Sequence, residues 1–214
     1  MFTLYHFPRT AGFAPHCLLK HVGAPFQLTF VDKDNEAQKT ADYLQLNPVG
    51  RIPTLVHEGH TIFESPAICI YISELYPEYR LIPSIGDPLR AQFFQWLAFL
   101  NNTLQAELLI YYHPERYTLS KAGMVEVIKA VEQRINEALS IIDKQLEGHD
   151  YLLGDDLTAC DYFLFMLVDW AMCTQPSLLA HLNLANYLKR IAQDPIVQAV
   201  CQLEGIDTKP FHSL

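Results

Sequence analysis

The chain has 214 residues, half of them apolar by count, with 24 acidic against 15 basic side chains and a formal net charge of −9. That much apolar material supports one large hydrophobic core or two small ones and excludes a disordered chain. The acidic excess excludes a nucleic-acid or anionic-membrane footprint, and no uninterrupted run of about 18 apolar residues reads as a membrane span. The start, MFTLYHFPRT, lacks the basic stretch and long apolar segment of an export signal, so a cytoplasmic protein is expected. Cys17, Cys69, Cys160, Cys173 and Cys201 are scattered, odd in number and without a CxxC pair or a His at ligand spacing. They read as reduced, mostly buried thiols, and no metal site is expected.

Residues 2–5 are β-prone, and Pro8, Gly12 and Pro15 punctuate a turn into a helical stretch over 13–22. Gly23-Ala24-Pro25 ends that helix, and FQLTFV (26–31) alternates as a second strand before a polar stretch over 32–41. Asn47-Pro48-Val49-Gly50-Arg51-Ile52-Pro53 is a loop dense in turn formers. Residues 54–57 and 61–63, around Glu58-Gly59-His60, make a β-hairpin. Ser65-Pro66 opens a helix to about residue 76, because serine caps well and proline at a first helical position gives up only an unneeded N–H. The order is βαβαββα, giving an α/β first domain over 1–77.

Prolines 77, 83 and 88, with Gly86, mark a linker over 78–88. The remainder, 89–214, reads as all-helical. Residues 89–110 and 120–145 repeat apolar residues at helical spacing, and 158–173 is nearly all apolar, as a buried central helix requires. Shorter helices are expected over 177–181, 184–193 and 195–202.

Three segments carry a family resemblance. Val49-Gly50-Arg51-Ile52-Pro53-Thr54-Leu55, Phe63-Glu64-Ser65-Pro66-Ala67-Ile68 and Gly154-Asp155-Asp156-Leu157-Thr158-Ala159-Cys160-Asp161 are similar to the signature segments of the glutathione S-transferase superfamily, closest to its bacterial Beta-like and Zeta-like types. The resemblance implies a thioredoxin-like domain that binds glutathione, followed by a helical domain, in a cytoplasmic homodimer that serves detoxification. It implies a cis bond at Pro53, where the Ile52 N–H and C=O pair with the cysteinyl part of glutathione like an added strand. Ser65 would offer its N–H and hydroxyl to the γ-glutamyl carboxylate at a helix N-terminus, and Glu64 would meet the ammonium. Thr158 and Asp161 would cap each other reciprocally, with Leu157 stapled onto the first turn.

The same resemblance implies an enzyme that stabilises the glutathione thiolate and conjugates it to small hydrophobic electrophiles, with no metal and no nucleic-acid or membrane partner. Isomerisation and peroxide reduction use that thiolate too. The Beta type carries a cysteine where this chain has Ala11, whereas matching the Zeta type places Thr10 at its catalytic serine. Thr10 has two readings, as thiolate donor and as a turn residue bonding its own backbone. His6, Arg51, Gln105 and Tyr112 are candidates for the pocket wall, with Tyr111, His113 and Tyr117 clustered near the last, while Tyr5 should point into the core. A ligand-binding or protein-interaction module on the same fold is the alternative; a disulfide oxidoreductase would need CxxC thiols that are lacking.

Overall fold

The computed structural model describes residues 1–175 and 180–212. Strands β1 (Phe2–His6), β2 (Phe26–Phe30), β3 (Thr54–His57) and β4 (His60–Phe63) form one sheet in the order β2-β1-β3-β4. β1 runs parallel to β2 and antiparallel to β3, and β3 and β4 form the hairpin. Helices α1 (Phe13–His21), α2 (Ala41–Leu46) and α3 (Ser65–Leu75) complete the βαβαββα order of a thioredoxin-like fold.

Alternation along β1 sets what faces where. Phe2, Leu4 and His6 are buried, and Thr3 and Tyr5 are only half-buried on the other face. Tyr5 is therefore not core as expected, but packs edge-on against Tyr43 of α2. The strand extends one residue further than its composition suggests and carries His6 inward.

The helical part begins with α4 (Leu89–Phe99), which runs through a π-helical segment, Leu100–Gln105, into α5 (Ala106–Tyr112). Apolar spacing over 89–110 announces the helix but not this wider turn, a feature often found at functional sites. Then come α6 (Lys121–Gln145), α7 (Ala159–Ala171), α8 (Leu182–Ile191), α9 (Pro195–Glu204) and a single turn, α10 (Lys209–His212). The Ser120 hydroxyl accepts the Gly123 N–H at 2.9 Å and starts α6. Every residue of α7 except Trp170 is buried, as its unbroken apolar run demands. Helix α1 packs against α3, α7 and α9, so one apolar core joins the sheet side to the helical side. The short helix expected over 177–181 falls mostly on residues outside those described, and the turn at Lys209 was not anticipated. Among the described residues no helix is long and apolar enough to cross a membrane.

The reciprocal cap at the start of α7 is formed. One carboxylate oxygen of Asp161 accepts the Thr158 N–H at 2.8 Å and its hydroxyl at 3.0 Å, and the other accepts the Leu152 N–H at 2.9 Å. Asp161 is wholly buried, and burial pushes its pKa up to about 6 against the pull of those donors. Leu157, half-buried, packs on the core beside it. Four cysteines are buried and Cys173 is exposed.

Candidate functional site

The loop between α2 and β3 is built from beneath. The Asn47 amide and the Tyr43 hydroxyl each donate to the Arg51 carbonyl at 2.8 Å, Tyr43 also meets the Thr54 hydroxyl at 2.9 Å, and Asn47 Oδ1 accepts the Val49 N–H at 3.0 Å. Gly50 sits at φ +61°, where a Cβ would lie 3.0 Å from the Gln38 carbonyl, so only glycine fits without strain. On this support the Ile52–Pro53 bond is cis, and both residues line a cleft of about 1190 Å³.

Glu64 comes next along the wall. Its φ of 71° is left-handed, unusual for a residue with a side chain, and its carbonyl accepts the first helical N–H, from Ile68, at 3.0 Å. Glu64 is thus the cap of α3, and Ser65, expected to be the cap, is instead the first helical residue. The difference matters chemically. A capping serine spends its hydroxyl on the helix, whereas Ser65 Oγ is buried with no conventional hydrogen-bond partner. The Cys69 thiol one turn on interacts with it, and burial dominates that thiol and raises its pKa. A buried polar atom left unpaired costs about 1–3 kcal/mol, and here it lies on the cleft wall at the positive end of a helix.

The loop from β1 to α1 supplies Arg9, Thr10 and Ala11 to the same cleft. The Thr10 hydroxyl donates to the Phe7 carbonyl at 2.6 Å, so the turn-forming role is the one it plays in this structure. Arg9 is also left-handed, at φ 58°. Its guanidinium pairs with Asp169 of α7 at 3.4 Å, and burial raises the Asp169 pKa despite that cation.

The facing wall comes from the helical part. Asn101 and Gln105 reach it from the π-helical segment, followed by Leu109, Tyr112, His113 and Arg116, then Trp170 at the end of α7, Met172 and Cys173 after it, and Phe211 of α10. Gln105 is buried and its Oε1 has no hydrogen-bond partner. The Tyr112 hydroxyl donates to the Trp170 carbonyl at 2.6 Å, and burial, with Cys173 and Tyr111 beside it, pushes its pKa up to about 12, so it stays a neutral donor. Tyr111 bonds the Cys173 carbonyl at 3.1 Å instead of lining the cleft. Tyr117 points into solvent.

Thr10, Ile52, Pro53, Glu64, Ser65, Arg51, Gln105 and Tyr112 thus all meet at one cleft. His6 does not, because the alternation of β1 turns it into the interior. It lies 3.9 Å from the buried Glu204 carboxylate, and burial lowers its pKa although Glu204 pulls it up. His6, His16 and Glu204 present ligand-type atoms within 4.8 Å of one another. The shortest of these separations, His16 Nδ1 to Glu204 Oε1 at 2.9 Å, is a hydrogen bond. Asp169, Trp170 and Phe211 were not anticipated, although the single acid in the run YFLFMLVDWA is a usable signal, since a buried charge needs a partner.

Five cations, Arg9, Lys33, Lys39, Arg51 and Arg116, line the cleft against three acids, Glu64, Asp169 and Asp207. In a chain of net charge −9 this local excess favours an anionic ligand.

Comparison with known proteins gives two family matches, to the glutathione S-transferase N-terminal domain over residues 1–74 and to the glutathione S-transferase C-terminal domain over residues 99–195. Glutathione S-transferase GST-4.5 of Xanthomonas campestris pv. campestris is 29% identical over 95% of this chain and 99% of its own length. Among solved structures, the ternary complex of BphK, a bacterial GST, is 31% identical with a TM-score of 0.84, covering 95% of this chain and 99% of its own. A sphingomonad glutathione S-transferase complexed with glutathione is 28% identical with a TM-score of 0.84, covering 96% and 100%.

Proposed function

Because the chain belongs to the glutathione S-transferase family, we propose that its cleft binds reduced glutathione and transfers the thiolate to a small hydrophobic electrophile. The observation that carries this reading is Ser65, a buried hydroxyl with no oxygen or nitrogen partner, met by the Cys69 thiol, at the N-terminus of α3 on the cleft wall. It awaits an acceptor-rich anion, and the γ-glutamyl carboxylate is one. Glu64 then meets the adjacent ammonium, the Ile52 main chain pairs with the cysteinyl unit, and the cationic rim suits a ligand with two carboxylates. Leu109, Tyr112, Trp170, Met172 and Phe211 supply the apolar surface against which an electrophile packs.

The reaction needs the thiol to give its proton to solvent, the sulfur to form a C–S bond, and the leaving group to depart with its electron pair. The thiolate lies at the loop leading into α1. For Thr10 to stabilise it, the hydroxyl must turn from the Phe7 carbonyl to the sulfur, trading a neutral hydrogen bond for a charge-assisted one worth about 1 kcal/mol more. Thr10→Val is therefore expected to lower kcat with a generic chloronitroarene roughly fivefold and to leave glutathione affinity unchanged, with Thr10→Ser retaining most of the rate. Equal kcat in the parent and Thr10→Val would confine Thr10 to its turn.

In this reading residues 1–77 form the glutathione-binding domain, 78–88 the linker and 89–214 the helical domain, and two copies associate. Light scattering after size exclusion at micromolar concentration should give twice the chain's 24.5 kDa. A monomer would overturn the dimer.

A further inference from the structure

Arg9 stands directly before Thr10 and Ala11 in a left-handed conformation, which a residue with a Cβ keeps only where its surroundings over-determine it, at a cost of order 1–3 kcal/mol. Two carboxylates of the helical part hold it there. Asp169 of α7 takes the guanidinium, and Glu204, the last residue of α9, accepts the Arg9 backbone N–H on Oε2 at 2.9 Å. The Glu204 side chain is completely buried, and its other oxygen accepts from His16 Nδ1 of α1 at 2.9 Å. His6 Nδ1 of β1 lies 3.9 Å from that oxygen and has no hydrogen-bond partner of its own.

Placing a carboxylate in a dry interior costs several kcal/mol unless its lone pairs are met. A hydrophobic side chain at position 204 would fill the space at less cost. What the carboxylate alone supplies is an acceptor aimed at one backbone N–H, in the loop that opens onto the cleft. The bond ties residue 9 to residue 204, so the end of the chain sets the geometry of its beginning.

We propose that Glu204 is a positioning residue for thiolate transfer, acting through the Arg9 backbone N–H to fix the Arg9–Thr10–Ala11 loop against the glutathione sulfur, with His16 fixing the carboxylate in turn. The inference rests on the glutathione reading, but it concerns rate and not affinity, because Glu204 hydrogen-bonds Arg9 and His16, not Ile52, Glu64 or Ser65, which are the groups assigned to hold glutathione.

Three variants test it. Glu204→Gln keeps an acceptor for the Arg9 N–H and can donate to His16 Nδ1 in its other tautomer, so it should keep kcat within about threefold. Glu204→Leu removes the acceptor and should lower kcat at saturating glutathione about 30-fold or more, the scale expected when reacting groups shift by an ångström or less. The calorimetric glutathione Kd should move less than about threefold. Circular dichroism at the assay temperature confirms that the variants are folded, and should Glu204→Leu fail to fold, Glu204→Asp replaces it. Glu204→Asp retains charge while drawing the acceptor back by one methylene, and should lower kcat roughly tenfold. A folded Glu204→Leu or Glu204→Asp with parental kcat overturns the proposal, as does a loss of kcat matched by an equal loss of affinity. A parent chain that fails to bind glutathione defeats the underlying reading instead.

Discussion

Ser65→Ala is expected to weaken glutathione binding by about 10- to 100-fold and to leave the melting temperature unchanged or slightly higher. The asymmetry follows from the hydroxyl's surroundings. Ser65 Oγ is buried without a conventional partner, so its removal deletes a desolvated polar group and no intramolecular bond to protein oxygen or nitrogen. Alanine also suits a first helical turn. With ligand present the same hydroxyl donates to a carboxylate, and a hydrogen bond to a charged group is worth about 1.5–3 kcal/mol. Calorimetry with glutathione and a thermal melt of the apo protein read the two quantities separately. A Kd unchanged by Ser65→Ala would remove Ser65 from the site, and a fall in stability with no loss of affinity would make it a structural residue.

Asp161→Ala is expected to cost about 4 kcal/mol of stability at pH 8, the largest effect among these substitutions. The carboxylate serves three donors, the N–H groups of Leu152 and Thr158 and the Thr158 hydroxyl. Alanine strands all three in a buried place at about 1–3 kcal/mol each, partly relieved by relaxation, and it also removes one half of the cap. The deficit depends on pH. The folded pKa of about 6 lies above the ordinary 3.8, so the folded protein holds this proton more tightly than the unfolded chain does. That contribution is fully present below about pH 4 and is lost as pH rises through about 6, where both states are ionised. The gap between parent and variant should therefore widen by about 2 kcal/mol on going from pH 8 to pH 4.5. Urea unfolding at the two pH values measures it; a gap that narrows at low pH would mean that Asp161 is folded as a stabilised carboxylate.

What could be read in the sequence was whatever is local. The cis-proline loop, the cap at Thr158–Asp161 and the Glu64-Ser65 pair each lie within a few residues, where turn chemistry and capping rules operate. The cis bond at Pro53 and the reciprocal cap at Thr158–Asp161 are present in the structure, whereas Ser65 is the first helical residue and not the cap, because the left-handed φ of Glu64 shifts the cap back by one position. Alternation set Tyr5 and His6 on opposite faces of β1, as they are, but not which face meets the core: Phe2, Leu4 and His6 are buried and Tyr5 is half-buried. The facing wall was only partly legible. Gln105 and Tyr112 were singled out, yet the π-helical turn that brings Gln105 and Asn101 to the cleft leaves no mark on apolar spacing. Helix α7 is apolar on every side, so its pattern could not tell that Asp169 and Trp170 at its end face the cleft. The clamp from Glu204 to Arg9 spans 195 positions, and no spacing rule reaches that far.

The most direct test of the whole account is calorimetric titration of the parent protein with glutathione and, separately, with cysteinylglycine, which keeps the thiol and the glycyl carboxylate but lacks the γ-glutamyl group assigned to Glu64 and Ser65. The account predicts saturable binding of glutathione and at least about 100-fold weaker binding of cysteinylglycine, the loss of one ion pair and one charge-assisted hydrogen bond. Equal affinities for the two, or no binding of glutathione at millimolar concentration, would contradict it.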